Sequence, residues 1–90
     1  MVSKEIIVPN QIGLHSRAAS DFIQKANEFK SIIWVEKNNR RMNAKSLLGV
    51  LSLGITKGTQ IAIVADGVDE QEAVHTLEHF VLETLLSYDE

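Results

Sequence analysis

Ile32-Ile33-Trp34-Val35-Glu36-Lys37-Asn38-Asn39-Arg40-Arg41-Met42-Asn43 is the stretch on which the architecture turns. Its opening residues are β-branched or aromatic and suit a pleated strand, and Asn38-Asn39 separates them from a shorter strand, Arg41 to Asn43, so a β-hairpin is expected. On its N-terminal side, Ala19, Phe22, Ile23 and Ala26 recur at i, i+3, i+4 and i+7. That stripe predicts an amphipathic helix from Ser16 to near Asn27. Earlier still, Val2 to Val8 reads as a strand closed by the turn signal Pro9-Asn10, leaving Gln11 to His15 as a loop.

On the C-terminal side, Leu47 to Leu53 is apolar enough for a strand, but Ser46 before it and Gly54 after it are helix punctuation, which favours a short helix. Gln60 to Asp66 is a further strand, running into a tight connection at Asp66-Gly67. Asp69-Glu70-Gln71-Glu72 looks like a capping box, with acidic residues at the positive end of a helix dipole. Ala73, Leu77, Phe80 and Val81, with Leu85 beyond, supply the core-facing stripe of that last helix. The order β-α-β-β-α-β-α predicts an α+β fold, an antiparallel four-stranded sheet with its helices on one face.

Composition narrows the function. Ninety residues make one small domain, 1–90, with room for a single core but not for an enclosed active-site cavity on a separate scaffold. The chain is 44% hydrophobic and 23% charged, and its net charge of -3 argues against nucleic acid or an anionic membrane as the main partner. No cysteine is present, so a disulfide framework and a thiolate-based metal or redox site are excluded, which fits the cytoplasm. Neither a signal core nor an apolar run of about 20 residues occurs, so membrane insertion is not expected.

The chemistry-bearing candidate is Gly13-Leu14-His15-Ser16-Arg17, which sets an imidazole between a glycine-containing loop and a helix start. The first backbone N–H groups of a helix lack internal partners, and the helix dipole makes that end positive. An anion is stabilised there, while a second proton on the ring is opposed, so a neutral imidazole is available to attack phosphorus. The N–H groups of Ser16 and Arg17, and the Arg17 guanidinium, would hold phosphoryl oxygens on the loaded ring. No phosphate-cradling glycine-rich loop or nucleotide fingerprint accompanies it and no cofactor is called for, so donor and acceptor are expected to be other macromolecules. Taken by itself, a histidine near a helix start is more often a cap or a solvated loop residue.

Gly13-Leu14-His15-Ser16-Arg17-Ala18-Ala19 resembles the active-centre motif of the HPr family, and Asn43-Ala44-Lys45-Ser46-Leu47-Leu48-Gly49-Val50-Leu51-Ser52-Leu53-Gly54 is similar to its second signature. The spacing agrees, and the likeness runs over essentially the whole chain. The resemblance implies an open-faced β-sandwich and a phosphoryl carrier of the bacterial sugar phosphotransferase system, loaded on His15 by enzyme I and unloaded to enzyme IIA domains. It further implies that Arg17 faces the phosphate, that HPr kinase/phosphorylase modifies Ser46, and that the phosphoserine form serves a catabolite control protein. Physical reasoning makes Ser46 plausible independently, because a phosphate at a helix start meets free amides, with Lys45 adjacent; the plain alternative is an N-cap. The resemblance also suggests a docking patch in Leu47, Leu48 and Leu51, with the first two the more exposed, against ordinary core packing for all three.

Ala18 departs from the family pattern, which usually has proline there, and so touches the pose of His15 and Arg17. Asp21, four residues after Arg17, is placed to hold the guanidinium until phosphate arrives, a hypothesis that fails if Asp21→Ala leaves transfer kinetics unchanged. The runner-up function is a regulatory module acting in catabolite repression through Ser46; retention of His15 with Arg17 argues against it. His75 and His79 have the spacing of a two-histidine metal site but no evident third ligand, so a solvated helix face is expected. Lys37, Arg40 and Arg41 read as a hairpin-end charge cluster with which Trp34 and Tyr88 form no aromatic ladder. An autonomous enzyme is disfavoured, since no nucleophile–base pair or paired carboxylates assemble. A monomeric carrier is expected.

Overall fold

A computed structural model describes residues 1–9 and 13–89, the last two of these by their backbone. In chain order it contains β1 (Val2–Ile7), α1 (Ser16–Ala26), β2 (Ile32–Lys37), β3 (Arg40–Asn43), α2 (Leu47–Ser52), β4 (Gln60–Asp66), α3 (Glu70–Leu82) and a 3-10 turn, Thr84–Asp89. The strands form one antiparallel sheet in the order β1-β4-β2-β3. The expected fold class is therefore found. The Asn10 turn signal and the start of the loop at Gln11 lie outside the described residues.

The hairpin closes because both of its asparagines accept a left-handed backbone, with φ of 51° at Asn38 and 66° at Asn39. Two successive positive-φ residues give a connection whose twist matches the right-handed twist of the flanking strands. Lys37 then pairs with Arg40, and Trp34 with Asn43.

Alternation along the strands sorts the sheet into two faces. Ile6, Ile33, Val35, Ile61, Ile63 and Ala65 are buried towards the helices, where Phe22 and Ala26 of α1 and Leu77, Phe80 and Val81 of α3 meet them in one cluster. Phe22 and Phe80 pack edge to face, 5.9 Å between centroids, and so join the two long helices over the sheet. The other face carries Ser3, Glu5, Trp34, Glu36 and Arg41. Val64 on that face is only 2% exposed and has Trp34 as its cross-strand neighbour, so the open side has a small apolar patch of its own. None of the helices among the described residues is long and apolar enough to cross a membrane.

Three details at α3 differ from the sequence expectation. Asp69 occupies the N-cap position but makes no capping hydrogen bond with its side chain. Its carboxylate instead accepts from the backbone N–H of Lys30 (2.8 Å) and of Ser31 (2.9 Å), and from the Ser31 hydroxyl. Those partners lie 38 and 39 residues away in sequence, so no local pattern announces them. Glu70, rather than Glu72, reaches back to the N–H of Gly67 at 3.1 Å. The α-helix also stops at Leu82, and Leu85 is buried from the 3-10 turn that follows.

Candidate functional site

Gly13 and Leu14 pin the chain just ahead of α1. Gly13 has φ +68°, and a Cβ there would stand 2.3 Å from the Ile55 carbonyl oxygen and 2.7 Å from Thr56 Cα. Only glycine permits both the backbone sign and the approach. Leu14 is buried and donates its N–H to the Ile55 carbonyl at 3.1 Å.

His15 follows as the N-cap of α1, in extended conformation with φ -78° and ψ -179°. Its Nδ1 accepts the Arg17 backbone N–H at 3.2 Å. An imidazole nitrogen that accepts must carry a lone pair, so this geometry belongs to the neutral ring with its proton on Nε2. The first helical bond runs from Ala19 N–H to the His15 carbonyl at 2.7 Å, so the amides of residues 16 to 18 precede the ladder. His15 is half-buried, Ser16 and Arg17 are exposed, and the first turn holds no acidic residue to compete with an incoming anion. Ala18 is fully buried and joins the core, and its N–H also lies ahead of the first i→i−4 bond. The pose of His15 thus rests on the cap bond and on the Gly13–Ile55 contact.

Ser46 is the N-cap of α2, and its Oγ accepts the Gly49 N–H at 3.1 Å. Lys45, next to it in sequence, donates from Nζ to the Phe29 carbonyl at 2.7 Å. A phosphate on Ser46 would meet the amides of the first turn of α2. Val50 anchors α2 in the core, which turns Leu48 (81% exposed), Leu47 (44%) and Leu51 (36%) outwards. Because α1 packs on α2, this apolar strip lies on the element next to the one that carries His15.

The hairpin-end cations do not form one solvated cluster. Lys37 Nζ donates to the carbonyls of Leu53 (2.8 Å) and Gly54 (3.0 Å), and Arg40 reaches the Ser52 carbonyl at 3.4 Å. They satisfy the Ser52 and Leu53 carbonyls at the end of α2, and the Gly54 carbonyl just past it, across a tertiary contact that sequence spacing does not reveal. Arg41 pairs with Glu36 and lies over the Trp34 ring, 4.9 Å from its centroid, so one tryptophan–arginine contact does exist. The Tyr88 side chain lies outside the described residues. His75 and His79 are exposed, with His79 Nε2 3.2 Å from Glu83 Oε2. Among the described residues no group of three possible ligands gathers round a metal position.

Comparison with known proteins gives a family-model match, "PTS HPr component phosphorylation site", over residues 2–83. The chain is 46% identical over 77 residues to the phosphocarrier protein HPr of Neisseria meningitidis, covering 86% of each. It is 41% identical over 83 residues to the HPr-like protein Crh of Bacillus subtilis, covering 92% of this chain and 98% of that one. Among solved structures, HPr of Thermoanaerobacter tengcongensis superposes with a TM-score of 0.91 at 41% identity, covering 97% of both chains. A second structure of HPr from that organism, a dimer, gives 0.74 at 42% identity, covering 93% of this chain and 97% of that one.

Proposed function

The chain belongs to the HPr family, and from that premise we propose that it is a phosphoryl carrier of the sugar phosphotransferase system with His15 as its acceptor. The observation that carries this reading is the Nδ1 of His15, turned onto the Arg17 N–H at the start of α1. Attack by Nδ1 forms an N–P bond as the bond from phosphorus to the donor breaks, and Nε2 keeps its proton. The Arg17 N–H then passes from the ring nitrogen to a phosphoryl oxygen, so the amide that orients the nucleophile also holds the product. At 3.2 Å the original bond is long, and little is lost in the exchange. Nε2 lies across the ring from these amides and would carry a phosphoryl group away from them. The exposed Arg17 guanidinium adds charge-assisted bonds, and the Ser16 N–H a further donor. Stabilisation of reactant and product stays balanced, as a carrier that must both load and unload requires.

The proposed donor is phosphorylated enzyme I and the proposed acceptors are enzyme IIA domains, docking on Leu47, Leu48 and Leu51; the setting is the cytoplasm and the working unit a monomer of residues 1–90. Ser46 is the proposed substrate of HPr kinase/phosphorylase. A phosphate there adds nearly two negative charges beside the leucine strip, which weakens enzyme I docking and creates a face for a catabolite control protein. A second reading, a Crh-like regulator acting through Ser46 alone, is favoured by the 41% identity to Crh over 83 residues.

Incubation with phosphoenolpyruvate and enzyme I separates the two. The carrier gains an acid-labile phosphoryl group that His15→Ala abolishes and Ser46→Ala retains; a regulator gains none, yet is still modified by the kinase.

A further inference from the structure

Lys37 stands on the hairpin, outside the site, yet a short run of contacts joins it to His15. Its ammonium donates to two successive carbonyls, Leu53 at 2.8 Å and Gly54 at 3.0 Å. The next carbonyl along, Ile55, receives the Leu14 N–H at 3.1 Å and lies against Gly13. Leu14 is followed directly by His15, whose ring is then set by the cap bond to Arg17. Leu53, Ile55 and Leu14 are each 3% exposed, so this platform is packed and a shift at one end is not absorbed by solvent.

We infer that Lys37 is a positioning residue for phosphoryl transfer: it clamps the carbonyls that close α2, and through Ile55 it sets the loop that presents His15. The inference rests on the carrier reading for its effect on transfer. Its physical basis is independent of that reading. The last carbonyls of a helix have no partners of their own, and α2 has no basic residue in its own last turn. An ammonium with three donors can serve the C-cap carbonyl of Leu53 and the Gly54 carbonyl just past the helix at once. Arg40, at 3.4 Å from the Ser52 carbonyl, supports the same turn more weakly. Because Lys37 is half-buried and gives two of its three donors to the backbone, it is poorly suited to act as a docking charge for an acidic partner.

The test compares wild type, Lys37→Met, Lys37→Arg and Lys4→Met as acceptors from enzyme I and phosphoenolpyruvate, measuring kcat and KM for the carrier, alongside amide exchange at Leu14. Lys4 is a charge-matched control, since it pairs with Glu78 of α3 at 3.7 Å, away from this platform. Lys37→Met is expected to lower kcat about tenfold with KM within about twofold. It should also speed Leu14 exchange roughly fivefold or more, relative to core strand amides. Lys37→Arg, which still offers a forked donor, should restore most of both, and Lys4→Met should change neither. A rise in KM alone would make Lys37 a docking charge and overturn the inference. So would a change in kcat without one in Leu14 exchange, the reverse, or equal effects in Lys4→Met. If wild type accepts no phosphoryl group on His15, the carrier reading fails, and an unaltered Leu14 exchange rate in Lys37→Met then sinks the clamp separately.

Discussion

Histidine is an uncommon N-cap, since the short oxygens of serine, threonine, aspartate and asparagine reach the helix amides more readily. At His15 the ring nitrogen takes that place, which couples the capping interaction to a nucleophile. Ser46 shows the ordinary arrangement on α2, and its substitution measures what such a cap contributes. Ser46→Ala is expected to lower stability by about 1 kcal/mol, read as a shift in the urea midpoint, while leaving phosphorylation of His15 intact. A loss near zero would mean that the cap contributes nothing to α2 beyond its packing and the bonds at its C-terminal end. At this scale the positions of His15, Arg17 and Ser46 were legible from the sequence, because helix starts have local chemical signatures. The partners of Lys45, Lys37 and Asp69 were not. Each of the three side chains bonds to backbone brought near by the fold, 16, 16 and 38 residues away respectively in its closest-spaced contact.

Between elements, two junctions fix where loops meet the elements they join. The first is the contact of Gly13 with Ile55 and Thr56. Gly13→Ala would force a side chain into a backbone oxygen at a left-handed φ, so it is expected to destabilise the fold by more than about 1 kcal/mol and to slow His15 phosphorylation beyond that loss. Urea melts and transfer rates on the same preparation check both. The second junction is Asp69, whose hydrogen bonds from the Ser31 hydroxyl and the Lys30 N–H lower its pKa from an ordinary 3.8 to about 2. The folded carboxylate is therefore the weaker proton binder. Its contribution is present above about pH 4 and is lost as pH falls towards 2. Asp69→Asn should flatten that part of the acid-denaturation profile, and an unchanged slope between pH 4 and 2 would show that other carboxylates govern it.

Across the whole molecule, element order was legible because each element has its own period: 3.6 in Ala19, Phe22, Ile23 and Ala26, and 2 in the strands with their Asn38-Asn39 turn. Strand order was not legible in that way, since β4 enters between β1 and β2 and the pairing is set by burial on both sides rather than by a local signal. The end of α3 escaped for a related reason: Leu85 keeps the apolar spacing although the backbone has already tightened into a 3-10 turn. The resulting arrangement puts a neutral histidine, a helix start and an exposed leucine strip on adjacent elements, while the sheet and Lys37 hold them from behind. The proposed monomer is checked by sedimentation at micromolar concentration, where a dimer like that of the Thermoanaerobacter tengcongensis HPr would move measurably faster. The central claim is that Nδ1 of His15 takes the phosphoryl group, whose oxygens then accept hydrogen bonds from the α1 amides. Nitrogen-15 and phosphorus-31 NMR of the protein phosphorylated by enzyme I tests this directly: the account predicts a phosphorus–nitrogen coupling at His15 Nδ1 with large amide shifts at Ser16 and Arg17, and a phosphoryl group on Nε2, on His75 or His79, or on no histidine would contradict it.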